Sequence, residues 1–266
     1  MKKPLPLFTR AFVDPWRSTL GWAIGLTAAL FLYLPLYPSI GGGAQMQGII
    51  DAMPPALTKA LNYEQIATGA GYTQATFYGL IGFLLMTIAA VAWGAAAAGG
   101  DEESGQLELT LAHGVTRAQV VLERALAIVL RVVLLTALVF VLILLLNDSA
   151  RLNIRADNLF GASVIFAGLA LLSASSALFA GALTGRKTYG LAAGAGVAVL
   201  GYAFNAVGRQ SKDVEWLLNL SPYYWAYGNN PVANGADWAA AGWLWGISLL
   251  LVALSAVALD RRDVGS

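Results

Sequence analysis

Residues 125–146 read ALAIVLRVVLLTALVFVLILLL, a run of 22 residues in which Arg131 is the single charge. An α-helix needs about 20 apolar residues to cross the roughly 30 Å hydrocarbon layer of a bilayer. Strands of a membrane barrel would instead alternate apolar and polar residues and would be about half as long. The run therefore predicts a membrane-spanning α-helix.

Five further runs of 20 to 25 residues share this apolar character. Together the six predicted spans are Ser18–Tyr37, Phe77–Ala98, Ala125–Leu146, Leu159–Leu183, Thr188–Val207 and Trp238–Leu259. Composition agrees, because only 12% of the residues are charged, about half the share in a soluble domain. The first run exceeds the apolar core of a signal peptide and is expected to remain as a span. We expect an all-α membrane protein, with residues 1–266 as one transmembrane domain.

Lysine and arginine are unevenly divided between the two sides of this arrangement. Ten lie on flanks that share a side with the N-terminus, five lie on the opposite flanks, and Arg131 lies within a span. Because Lys- and Arg-rich loops stay in the cytoplasm, both termini are predicted to be cytoplasmic. Leu5, Phe8, Phe12 and Trp16 recur at helical spacing and predict an amphipathic helix at the inner interface. This helix serves either as an anchor or as a contact for a cytoplasmic partner.

The outer loops Pro38–Thr76 and Gly208–Asp237 are too long to be simple connectors. Pro54 and Pro55, followed by Ala56 and Leu57, predict a short helix in the first of them. The second contains Ser221-Pro222-Tyr223-Tyr224-Trp225-Ala226-Tyr227 and predicts short segments at the outer interface. Two interpretations remain for Tyr223, Tyr224 and Trp225, which are simple packing and a gate or substrate-contact surface.

The residues needed for most catalytic sites are absent from the sequence. There is no cysteine and one histidine, His113, so metal clusters and catalytic triads are hard to build. Residues 181–188, GALTGRKT, have the wrong spacing for a phosphate-binding loop. We therefore expect no catalytic residue, metal or cofactor in this chain. A net charge of +1 gives no reason to expect a nucleic-acid partner.

Arg131 is the only ionisable side chain in the six spans, apart from tyrosine. Proton-coupled transporters usually carry ionisable groups at the membrane midplane, so a proton relay has little support here. Arg131 is the seventh residue of its span from the cytoplasmic end, where its side chain could snorkel inward. The alternative is that it pairs with, or binds substrate in, the assembled transporter. Two glycine pairs, Gly21/Gly25 and Gly190/Gly194, predict close helix contacts with unspecified partners.

The inner segment between the second and third spans has a different character. The glycines at 99 and 100 are expected to end the second span, and three acids follow at 101–103. Leu107, Leu109 and Leu111 alternate as in a strand, whereas Leu107, Leu111 and Val115 fit one face of a helix. A lone strand between two membrane helices would lack a partner, so we predict a helix. From composition alone, a solvated turn with an interfacial helix remains an alternative.

Residues 100–109, GDEESGQLEL, and 114–117, GVTR, resemble the acidic inner loop of type-2 ABC exporter permeases. Further stretches resemble the same family, namely 53–57 (MPPAL), 71–72 (GY), 221–224 (SPYY) and 261–263 (RRD). The segment departs from the usual pattern at Gln106, where threonine is usual, and at Gly114, where proline is common. The resemblance runs nearly from end to end of the chain.

The resemblance implies a bacterial inner-membrane permease that exports hydrophobic or amphipathic compounds. It also implies two copies of an ATP-binding subunit, which carry ATP and magnesium, and a second permease copy or a homologous permease. The acidic loop would form a coupling helix that docks on that subunit. The residues to which this role is carried over are Asp101, Glu102, Glu103, Gly105, Leu107, Glu108, Leu109, Leu111 and Arg117.

Dense charge beside apolar residues is itself the mixture that a docking surface needs, with Leu107, Leu109 and Leu111 as expected anchors. An assembly of two permeases is expected to use Ser18–Tyr37 and the aromatic outer loop as interface elements. The alternative function is a stand-alone, ion-coupled secondary transporter.

Overall fold

The computed structural model describes residues 6–40, 48, 52–54 and 66–262. The short helix expected after Pro54 lies largely outside the described residues. The main helices in the described part are α1 (Pro6–Val13), α2 (Trp16–Tyr33), α3 (Gly69–Glu103), α4 (Gln106–Leu111), α5 (Arg117–Ser149), α6 (Ala156–Thr184), α7 (Lys187–Gly208), α8 (Pro222–Tyr227), α9 (Pro231–Asn234) and α10 (Trp238–Arg261). Shorter helical pieces are Tyr37–Ile40 and the 3-10 helix Lys212–Leu220.

Six helical stretches are long and apolar enough to cross a membrane, and each contains one predicted span. The six predicted spans are therefore confirmed, and the chain is a multi-pass membrane protein. The first of them continues past α2 through a 3-10 turn at Leu34–Leu36 to Ser39. At 1.5 Å per residue, α3 and α5 are each roughly 50 Å long. Both therefore extend well beyond the hydrocarbon layer.

Local hydrogen bonds set where several of these helices begin. The Thr116 hydroxyl accepts a hydrogen bond from the amide of Gln119, 3.2 Å away, and so caps α5. The Asp237 carboxylate accepts from the amides of Ala239 and Ala240 at the start of α10. A side-chain acceptor satisfies amides that lack a partner in the first helical turn.

The expectation that glycines 99 and 100 end the second span is wrong. The helix widens into a π-helical turn at Ala96–Gly100 and continues to Glu103. Gly99 packs against the backbone of Arg186, where a Cβ atom would lie 2.5 Å from the carbonyl carbon. The absent side chain thus serves close packing and not termination. The break comes at Gly105, whose φ of +71° favours glycine.

Helix α6 lies at the centre of the bundle, and 83% of its most apolar window is buried. It packs against α3, α5, α7 and α10. Small residues allow these approaches, since a Cβ atom on Gly94 would overlap the carbonyl oxygen of Ala174 in α6. Gly190 and Gly194 of α7 likewise pack on α6, which supplies their partner. In contrast, ideal Cβ atoms on Gly21 and Gly25 would meet no atom within 4 Å in the described part of the chain.

Contacts between the connecting segments define two ends of the bundle. At the first end, Arg117 contacts carbonyl groups at the end of α10, and Glu103 contacts the start of α7. At the second end, the Tyr72 hydroxyl donates to the carbonyl of Tyr33 over 3.0 Å. The 101–117 segment lies at the first end. The residues that carry α8 and α9 lie at the second.

Candidate coupling site

Helix α4 connects the two longest helices at the first end and is one and a half turns long. Its residues are helical, so the prediction of a helix over a strand is confirmed for Gln106–Leu111. Gly105 and Gly114, with φ of +71° and +75°, make the turns on either side of it. The segment is therefore a short helix held between two glycine turns and not an open loop.

The three acids that precede α4 each bind a different part of this chain. The Asp101 carboxylate forms a 2.5 Å ion pair with Arg124 of α5, and Arg124 also donates to the carbonyl of Ala97. Glu102 forms an ion pair with Arg262, just beyond α10. Glu103 accepts a hydrogen bond of 2.9 Å from the amide of Lys187, the first residue of α7. These acids thus fasten α3 to three neighbouring elements. Asp101 and Glu102 are half-buried and paired within the chain, whereas Glu103 remains exposed.

The three leucines expected as docking anchors differ sharply in exposure. Leu107 is 0% exposed, whereas Leu109 is 65% exposed and Leu111 is intermediate. Leu107 belongs to an apolar group that we call the first-end cluster. Its buried members are Ala98, Leu107, Val120, Val121, Ala125, Leu178, Ala182 and Leu259. The expectation that Leu107 faces outward is therefore wrong, because its side chain packs between α3, α5, α6 and α10.

Glu108 and Leu109 form the outward part of α4, next to the exposed residues Ala112 and His113. Leu109 is among the most exposed large apolar side chains at the first end. Leu109 is therefore accessible to another surface.

Two charged residues in the first two turns of α5, Arg117 and Glu123, hold other helices to the first end. The Arg117 guanidinium donates to the carbonyl oxygens of Asp260 and Arg262, at 3.1 and 2.7 Å. Glu123 is only 3% exposed and accepts from the amides of Leu7 and Phe8 at the start of α1. A carboxylate at a helix N-terminus is favoured by the helix dipole as well as by these hydrogen bonds.

Arg131 lies about 21 Å along α5 from Arg117. It is 4% exposed, and its guanidinium carbon lies 5.4 Å from the centre of the Trp93 ring. Its Nε and Nη2 atoms have no hydrogen-bond partner among the described residues. The described residues therefore leave this cation without a carboxylate partner.

The aromatic residues at the second end divide into a packed group and an open group. Tyr223 is buried, donates to the carbonyl of Gly79 over 2.7 Å, and packs edge-on against Phe83, Tyr202 and Tyr227. Its environment is that of a packing residue.

Tyr224 and Trp225 are half-buried and line an open cleft of about 680 Å³ together with Trp243 and Asp237. Ser221 fixes this segment, since its hydroxyl donates to the carbonyl of Gly201 and accepts from the amide of Tyr224. Of the three aromatic residues considered for a substrate or gate role, only Tyr224 and Trp225 therefore have accessible surface.

The family description for multidrug efflux system permease Rv1217c, C-terminal domain, matches residues 8–259. The chain belongs to this family. It is thus a permease of a multidrug efflux system and an ABC-type permease, as the resemblance of the 100–117 region implied. No curated protein and no solved structure matches the chain.

The matched region runs from α1 to the last turn of α10 and includes both ends of the bundle. Membership in an efflux-system permease family is consistent with a non-catalytic subunit that works with partner subunits.

Sequence reasoning missed the internal roles of Glu123, Arg124 and Arg262. Both arginines contributed to the predicted orientation, and Arg262 also to the family resemblance, but no role was assigned to Glu123. One signal was present, because Glu123 and Arg124 lie directly before the long apolar run 125–146, where a carboxylate needs a partner. Which group supplies that partner depends on tertiary contacts more than 100 residues apart.

Proposed function

We propose that this permease is the membrane subunit of an ATP-driven exporter of hydrophobic or amphipathic compounds. A separate ATP-binding subunit would bind and hydrolyse ATP with magnesium. Family membership supports the efflux role. The observation that supports the coupling role is α4, which exposes Leu109 while Leu107 anchors the same helix in the bundle.

The contacts of α4 suit it to pass a displacement into the bundle. Leu107 packs in the first-end cluster, to which α3, α5, α6 and α10 also contribute. Asp101–Arg124 and Glu102–Arg262 tie the same region to α5 and to the end of α10. A packed core with ion pairs transmits a shift as a rigid unit and does not absorb it. Closure of a partner against α4 would therefore move several helices together.

The proposed orientation places the first end in the cytoplasm of a bacterium, with the permease in the inner membrane. The excess of lysine and arginine on that side supports this. In this orientation α1 lies at the inner interface, where Phe8 and Phe12 stack with ring centres 5.7 Å apart. Glu123 would hold the beginning of α1 against the span that contacts α4.

The proposed assembly contains two permease subunits and two ATP-binding subunits. Only 22% of the most apolar window of the first span is buried within the chain. Its face includes Leu20, Ile24 and Phe31, which are exposed, and the open glycines at 21 and 25. Such a face suits a second permease in the membrane, where small residues permit close helix contact.

Measuring which energy source drives transport tests this proposal. In proteoliposomes that contain the permease and its cognate ATP-binding subunit, we expect efflux of a hydrophobic dye only with magnesium-ATP on the first-end side. A partner variant that binds ATP without hydrolysing it should abolish efflux. Proton and sodium ionophores should leave the initial rate unchanged, because in this proposal ATP hydrolysis, and not an ion gradient, supplies the energy.

An ion-coupled transporter would behave in the opposite way. Dye efflux by the permease alone, driven by an imposed proton or sodium gradient and indifferent to ATP, would contradict the proposal.

A further inference from the structure

An open pocket of about 310 Å³ lies at the first end, beside the buried guanidinium of Arg131. Helix α1 forms one wall, and α3, α4 and α5 form the others. The charged residues of its lining are Arg10, Asp14, Asp101, Arg124 and Arg131. Gln106 and Thr110 of α4 and apolar side chains such as Leu7 and Ile128 also line it, so the pocket has both a polar and an apolar part.

The charges of this lining do not cancel. Arg10 pairs with Asp14 at 3.2 Å, and Arg124 pairs with Asp101 at 2.5 Å. Arg131 is the remaining cation, and no salt bridge to it occurs among the described residues. One positive charge is therefore left over, and it belongs to the most buried of the three arginines.

The Arg131 side chain is built into the pocket and does not reach away from it. The residue is 4% exposed, and two of its three guanidinium nitrogens lack partners in the described part of the chain. The cation–π contact with the Trp93 ring helps to hold the guanidinium in place but provides no hydrogen-bond acceptor. Trp93 is itself fixed, since its indole nitrogen donates to the Ser18 hydroxyl over 3.2 Å. Because Nε and Nη2 are enclosed, a ligand in the pocket has access only to the rest of the guanidinium, whose charge no carboxylate among the described residues balances.

The chemistry of the missing acceptor follows from the guanidinium. Its planar donors match two oxygens of a phosphate or carboxylate, and such charge-assisted pairs are stronger than neutral hydrogen bonds. The pocket is larger than one oxyanion needs, and its apolar lining would leave a free, fully hydrated ion partly unsolvated. A ligand with an anionic group and an adjoining apolar part fits both features.

We propose that the pocket between α1, α3, α4 and α5 binds the anionic headgroup of an amphiphile, with Arg131 as the principal ligand. The headgroup lies against the part of the Arg131 guanidinium that lines the pocket, and the apolar portion lies along the pocket wall near Leu7 and Ile128. This assignment goes beyond the coupling role of α4. It also does not depend on that role, because binding needs no ATP-binding subunit.

Native mass spectrometry of the purified, delipidated permease tests the proposal with four probes. Phosphatidylglycerol and oleate carry anionic headgroups of the phosphate and carboxylate type. Phosphatidylcholine has a zwitterionic headgroup, and inorganic phosphate is a free anion. The variants are Arg131→Gln, Arg131→Lys and, as a control, Arg261→Gln, which removes an exposed arginine at the same end.

We expect the wild-type protein to bind phosphatidylglycerol or oleate in preference to phosphatidylcholine, and the preferred probe identifies the headgroup. Arg131→Gln should weaken that binding about tenfold or more, the scale of a lost charge-assisted hydrogen-bond pair. Arg131→Lys should bind with an affinity between those of the wild type and Arg131→Gln, because lysine keeps the positive charge but lacks the planar set of donors. Arg261→Gln should bind as the wild type does.

Three results would overturn the proposal. These are unchanged binding in Arg131→Gln, equal binding of phosphatidylcholine, and binding of inorganic phosphate alone. If Arg131→Gln does not elute as a folded species, Arg131→Lys carries the test, with wild-type binding by that variant as the contradicting result.

Discussion

Leu107→Asp is expected to prevent stable folding of the permease, whereas Leu109→Asp is expected to leave the fold intact and abolish binding of the ATP-binding subunit. The two leucines lie two residues apart on the same short helix. They differ in exposure, at 0% for Leu107 and 65% for Leu109. The same substitution should therefore have two separable consequences.

The effect at Leu107 follows from the first-end cluster. Removing a buried leucine side chain alone costs about 2–5 kcal/mol. A carboxylate at that position would also be buried among apolar side chains from four other helices, without a partner in the cluster. We expect a loss of the monodisperse peak in size-exclusion chromatography and a lower yield from membranes.

Leu109 offers no such internal contacts, so its aspartate variant should elute and melt like the wild type. Co-purification with the cognate ATP-binding subunit should fall by an order of magnitude or more, as when a central apolar anchor is removed from an interface. Wild-type co-purification of a correctly folded Leu109→Asp variant would contradict the docking role. Normal folding of Leu107→Asp would contradict the packing described for α4.

Gly94→Val is expected to cause the second large effect, by separating α3 from the central helix α6. A Cβ atom at position 94 would overlap the carbonyl oxygen of Ala174 and lie 3.0 Å from the Cβ atom of Ala177. To relieve this overlap one helix backbone must shift, since neither contacting atom lies at the end of a flexible side chain. Overpacking of a core typically costs about 1–3 kcal/mol, and backbone overlap places this variant at the upper end.

Gly246→Val in α10 is the matched control, because nothing described lies within 4 Å of a Cβ atom at that position. The thermal unfolding midpoint in detergent should drop clearly for Gly94→Val and change little for Gly246→Val. Equal midpoints for the two variants would show that α3 and α6 do not pack as closely as described.

The membrane-spanning helices could be predicted from the sequence because each is a long apolar run. Residues 125–146, for example, are long enough to cross the bilayer as a helix and lack the alternation of a β-barrel strand. Helix ends were harder to predict, as glycines 99 and 100 show. Glycine ends some helices and permits close packing in others, and only the position of the Arg186 backbone distinguishes the two uses.

The candidate site was predicted less well than the helices. The sequence located the 101–117 segment and its helix, but it gave the acids and all three leucines the same outward role. Charge density alone does not say whether a partner lies in the same chain. Asp101, Glu102 and Glu103 find theirs at positions 124, 262 and 187. Such distant pairings depend on the tertiary fold, and a periodic pattern carries no trace of them.

The glycine pairs show the same limit for helix packing. Both pairs have the same spacing, but Gly190 and Gly194 meet α6, whereas Gly21 and Gly25 meet nothing described in this chain. Spacing indicates that a close approach is permitted. It does not identify the partner helix, which for α2 we propose to be a second permease.

Cysteine cross-linking tests the central claim most directly, namely that α4 is where the ATP-binding subunit docks. The chain has no cysteine, so Leu109→Cys and Trp216→Cys each introduce a single reactive site. Both positions are well exposed, at 65% and 59%, and they lie at opposite ends of the bundle. With a photoactivatable maleimide reagent on the assembled transporter, we predict a covalent adduct with the ATP-binding subunit from position 109 and none from position 216. A transport-competent complex that yields no adduct at 109, or yields it equally at 216, would contradict this account.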